Sequence, residues 1–110
     1  MIQETIKKIE QRVKGSQTLS DTGRQELLGL LKDLKGEMDG LSQTDREQAQ
    51  SITSYFDIST HEVTRQGKQP KLLQHSLEGL SASVDGFETS HPKLVMVVNR
   101  ICTTLSNLGV

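Results

Sequence analysis

A chain of 110 residues with 33 % hydrophobic side chains, one Tyr, two Phe and no Trp has room for one domain with a thin core and none for two catalytic domains. Its net charge of −1, without a basic block or stacking aromatics, argues against a dedicated nucleic-acid binder. The lone Cys102 excludes an internal disulfide.

Strand formers are scarce and the aliphatic residues fall at helical spacings, so the fold class read from the sequence is all-α, over a single domain spanning residues 1–110. Ile2, Ile6, Ile9 and Val13 step by four, three and four, which places them on one stripe of a first helix at about 2–14. Glu4/Lys8 and Glu10/Lys14 are in the favourable i, i+4 order. The opening residues carry charges every few positions and lack a continuous apolar segment, so they do not read as a secretory signal. Gly15-Ser16 ends this helix and Ser20 is the N-cap expected for the next, with Asp21 in its first turn.

Leu27, Leu31, Leu34, Met38 and Leu41 then repeat four, three, four, three, a narrow seam of coiled-coil type. Beyond residue 42 the seam thins before Ala49, Ile52, Phe56 and Val63 resume it. Leu19-Ser20-Asp21-Thr22 and Leu41-Ser42-Gln43-Thr44 form a weak internal repeat in which both copies read like a helix start. Against a break, Ile52 keeps the register of Leu31 and Met38. The spacing therefore favours a continuous or gently kinked helix from about 20 to 66, with a break near 42 as the alternative; at ~1.5 Å per residue it would be roughly 70 Å long. Gly67 as a C-terminal cap and Pro70 end it.

A third helix, about 70–89, carries Leu73, Leu77, Leu80, Val84 and Phe87, beside a stripe of small residues, Ser76, Gly79, Ser83, Gly86 and Ser90, that either admits a neighbouring helix closely or is a solvated flank. Ser90-His91-Pro92 interrupts, and a last helix at about 92–108 places Leu94, Val98, Ile101, Leu105 and Leu108 on one stripe. Its longest apolar run, Leu94–Val98, is far short of the roughly 18 residues that cross a bilayer.

These elements predict an elongated antiparallel helical hairpin or bundle with coiled-coil-like seams. Its packing set is Leu27, Leu31, Leu34, Met38, Leu94, Val98, Ile101, Leu105 and Leu108, some of it intermolecular. A thin core favours self-association, a dimer first, with an unidentified protein partner as a further expectation.

Signals for chemistry are sparse. A di-metal bundle site needs two Glu-x-x-His pairs and two further Glu, and only Glu88–His91 exists. His61 and His75 flank the turn at 67–70, with Asp57 and Glu62 nearby, but three isolated histidines read as surface or interface residues. Cys102 sits among Ile101, Thr103 and Leu105 and reads as a small buried hydrophobe. No Gly-rich phosphate loop, nucleophile elbow or Cys-x-x-Cys pair is present. No catalytic residue, metal site or cofactor is assigned. The function expected is a non-enzymatic, cytoplasmic interaction or structural protein; the alternative is a small-ligand or metal-binding bundle using His61, His75, Glu88 and His91. Nucleic-acid association through Lys7, Lys8, Arg12 and Lys14 is a third reading, not adopted.

Four segments, Gln25–Leu31, Leu77-Glu78-Gly79-Leu80 with Val84 and Phe87-Glu88, His91-Pro92-Lys93-Leu94, and Leu105–Val110, resemble a small bacterial family of short all-helical proteins, a domain of unknown function. The His-Pro-x-Leu element and the Leu-x-x-Leu-Gly-Val ending carry most of that likeness, which covers about two thirds of the chain; residues 42–66 depart from it. The resemblance implies a helical fold and a bacterial origin, and brings no activity with it.

Overall fold

A computed structural model describes residues 2–109. They form five α-helices, α1 (Ile2–Gly15), α2 (Asp21–Asp39), α3 (Gln43–Thr64), α4 (Pro70–Ala82) and α5 (Pro92–Leu108). In α1 the predicted stripe is buried throughout, Ile9 and Val13 almost completely. Lys14 pairs with Glu10 at 3.2 Å, whereas Lys8 turns away from Glu4 toward Asp57 of α3. The end of α1 is fastened by Arg24, whose guanidinium donates to the carbonyls of Val13, Lys14 and Leu19 at 2.7, 3.1 and 3.2 Å, taking up acceptors that a helix terminus leaves open.

The long helix does not form. Ser20 and Ser42 are both N-caps, with ψ of 158° and 166° and side chains accepting from the amides of Gly23 and Asp45. Leu19 and Leu41, one step before each cap, are both buried. The repeat thus marks two helix starts, and the extended backbone at Ser42 turns the chain where the heptad register would have carried it straight on. Gly67 is not the cap of α3 either; Arg65, in extended conformation, holds that position, its amide donating to the His61 carbonyl. Where the apolar seam thins at the start of α3, Asp45 is half-buried and Gln48 exposed; farther along, α3 also buries Thr53, Ser59 and Thr60. Thr60 returns its hydroxyl to the Phe56 carbonyl at 2.8 Å, which satisfies it without a distant partner.

Helix α4 stops at Ala82, short of the predicted 89. Gly86 adopts φ +99°, the one positive φ among the described residues and a conformation that glycine takes without strain. The turn still buries Val84 and Phe87, so the apolar spacing continues through a segment that is not helical.

Pairs between helices fix their directions. Lys8 meets Asp57 and Thr18 meets Thr64, so α1 and α3 run parallel. Arg24 reaches back to Val13, Ser59 bonds Ser76 and Thr104 bonds Glu26, so α1/α2, α3/α4 and α2/α5 are antiparallel. The principal packings, α1·α2, α2·α5, α5·α4, α4·α3 and α3·α1, close a ring that α3·α5 spans. The bundle measures 37 × 24 × 21 Å with a radius of gyration of 13.0 Å, about that of an ordinary compact domain of 100 residues. Breaking the predicted 70 Å helix in two is what makes it short. Eight of the nine predicted packing residues, all but Leu108, are buried within the single chain, so the leucine seam is consumed internally.

Candidate interaction surface

The three histidines stand apart. His61 accepts at Nδ1 from the Arg12 guanidinium at 3.0 Å, beside Asp57, which lies 3.7 Å from Arg12 and 3.9 Å from Lys8. His75 is exposed on α4, 4.0 Å from Glu78. His91 donates from Nε2 to Asp45 at 3.1 Å, tying the loop before α5 to the first turn of α3, and its ring leans on Phe87 with centroids 5.7 Å apart. Glu88 does not join His91; its carboxylate accepts from the Gly86 amide at 2.9 Å and braces the turn. Among the described residues no three His, Cys, Asp or Glu side chains gather as metal ligands would. Within the basic set of α1, Lys8 and Arg12 share Asp57 and Lys14 pairs with Glu10. Burial pushes the Cys102 thiol above its ordinary range, against a smaller lowering by a backbone hydrogen bond.

The small-residue stripe of α4 divides. Ser76 is buried and accepts from Ser59 at 3.0 Å, and Gly79 lies so close to the Tyr55 ring that a Cβ there would clash with it. Gly86 and Ser90, past the end of α4, are exposed. The stripe is a docking line for α3 over its first half and a solvated flank over its second.

Two apolar features remain on the surface. Tyr55 and Ile58 on α3 and Leu72 on α4 are exposed. A groove between α2 and α5 is lined by Glu26, Leu30, Pro92, Val95, Met96 and Arg100, among others, and Met96 at its mouth is 54 % exposed. Thr104 donates to Glu26 at 3.0 Å at one end. Residues 27–110 match the family described as Domain of unknown function (DUF4404). The chain belongs to that family. No curated protein and no solved structure is detectably similar to it.

The DUF4404 region begins inside α2 and runs without interruption through residues 42–66, the segment that the sequence likeness left aside. It includes the α5 wall of the α2–α5 groove and Leu30 of the α2 wall but not Glu26, and α1 lies outside it. Within DUF4404, Met96, Ile58 and Leu72 are exposed apolar residues that the helical spacing did not single out. Met96 does fall off the Leu94, Val98, Ile101, Leu105 stripe, and that displacement was the available signal. No helix among the described residues is long and apolar enough to cross a membrane.

Proposed function

We propose that the protein acts by binding rather than by chemistry, as a helical interaction module that associates with a second copy of itself. The observation that carries this reading is the α2–α5 groove, where Met96 is exposed beside Leu30, Val95 and Pro92 within a polar rim; an apolar groove rimmed by polar groups is the usual form of a protein-binding patch. The groups best suited to chemistry are engaged in structural bonds, His61 with Arg12, His91 with Asp45 and Glu88 with the Gly86 turn. A cytoplasmic setting suits the free thiol of Cys102.

Solution mass by light scattering after size exclusion, over a hundredfold dilution series, tests the reading. A dimer that dissociates on dilution is the expected result. A monomer at every concentration would remove self-association and leave a different protein as the partner to seek.

A further inference from the structure

The two helices flanking the α2–α5 groove carry opposite charge, with Glu26 and Arg100 in the groove lining and further acids on α2 and a further base on α5 along the same stripes. On α2 the stripe through Leu30 reads Glu26, Leu30, Asp33, Glu37, at spacings of four, three and four, so the four share one face. On α5 the stripe through Met96 reads Lys93, Met96, Arg100, Thr103. Of the basic residues of α2, Arg24 is bound to the end of α1, and Lys32 and Lys35 line a different cleft, against Ile6, Glu10 and Lys14 of α1. Among the described residues, Asp33, Glu37, Lys93 and Arg100 form no ion pair within the chain.

Resting on the self-association reading above, we infer that this face receives the second copy through a two-fold axis parallel to α2 and α5. Gly23 stands level with Leu108 and Glu26 with Thr104. Continuing along the antiparallel helices, Leu30 stands level with Arg100 and Glu37 with Lys93. A two-fold parallel to the helices keeps these heights while laying α2 of each copy over α5 of the other. Lys93 then meets Glu37, and Arg100 falls between Glu26 and Asp33, with Met96 and Leu30 in the middle. A two-fold across the helices would instead lay α2 on α2 and acid on acid. An interface related by a two-fold must be self-complementary, and like charges facing each other suppress the wrong register. Charge therefore selects the first arrangement. Helices of 19 and 17 residues are about 25 to 29 Å long, and a face two helices wide, about 20 to 24 Å across, offers on the order of 500 to 700 Å² per partner, toward the small end of specific interfaces and in keeping with a dimer that dissociates on dilution.

The test uses two charge-reversed chains and the parent. One chain carries Lys93→Glu with Arg100→Glu, making its whole face acidic; the other carries Asp33→Lys with Glu37→Lys, making its face basic. All four positions lie on the surface side of their helices, and circular dichroism should show parental helix content in both chains. Each chain alone should dissociate more than about tenfold more readily than the parent, and equimolar mixing should restore a dimer containing one of each, weakened by added salt. Reversed chains that dimerise as the parent does would overturn this face while leaving self-association intact. Two monomers that stay monomeric on mixing would overturn the charge-matched geometry. A parent that never dimerises would overturn both this inference and the reading beneath it.

Discussion

Tyr55 of α3 packs against Gly79 of α4 so closely that a Cβ at position 79 would clash with the Tyr55 ring. Alanine in a helix interior is favoured over glycine by about 1 kcal/mol, so the two effects oppose each other. Gly79→Ala should displace the ring and lose that advantage in the parent, yet stabilise a Tyr55→Ala chain by about 1 kcal/mol. Urea unfolding of the four chains of this cycle gives the coupling. Equal effects of Gly79→Ala in both backgrounds would show that the ring does not restrain this position.

Ser42 holds the reversal between α2 and α3 by the same bond that Ser20 makes at the start of α2, 3.2 Å from the Asp45 amide against 3.1 Å from that of Gly23. Replacing an N-cap serine with alanine costs about 1 kcal/mol. Ser42→Ala and Ser20→Ala should each lower unfolding stability by about that amount, measured by chemical denaturation. A Ser42→Ala chain as stable as the parent would mean that Leu41 packing and the backbone bonds of the turn hold it without the cap.

Leu34 and Met96 separate core from face. Leu34 is wholly buried while Met96 is 54 % exposed. Leu34→Ala should cost about 3 kcal/mol through lost burial and the cavity left behind. Met96→Ala, measured in dilute protein, should change stability by less than about 0.5 kcal/mol. A large loss at Met96 in dilute solution would place it in the fold rather than on a docking surface.

Cys102 gives a pH dependence of known sign. Its pKa in the folded chain is raised above the ordinary 9.0 by burial, so the native state prefers the thiol. Below the unfolded value both states hold the proton and stability is unaffected; as pH climbs past 9.0 the unfolded chain releases its proton first and stability falls. Cys102→Ala should flatten that decline by comparison with the parent. Alkylation of the native thiol at neutral pH should also be slower than that of the unfolded chain, since the thiolate is the reacting form; equal rates would contradict the shift.

The first and last helices were legible because one apolar stripe on each, Ile2 to Val13 and Leu94 to Leu105, states both existence and buried face. The break at Ser42 was written in the sequence as the repeat of Leu19-Ser20 in Leu41-Ser42. Periodicity reports which side of a turn is apolar, not whether the chain reverses between turns, and so it argued for the wrong member of the pair. The end of α4 was hidden for a related reason. Val84 and Phe87 keep an i, i+3 interval within a tight turn that Gly86 makes, and burial there resembles one more turn of helix. The histidines were undecidable from spacing, since His91 reaches Asp45, 46 residues away, through the closing of the ring.

That ring has a consequence for how the chain is made. Helix α2 takes its place between α1 and α5, and the bond from Thr104 to Glu26 closes a loop of 78 residues. During translation α2 is therefore complete long before its second neighbour leaves the ribosome. Leu30, buried beside the α5 wall of the groove in the finished bundle, is left uncovered on the nascent chain, when exposed apolar surface most invites misassembly. Glu26, Asp33 and Glu37 flank Leu30 on that same side of α2, a charged border of the kind that opposes such misassembly.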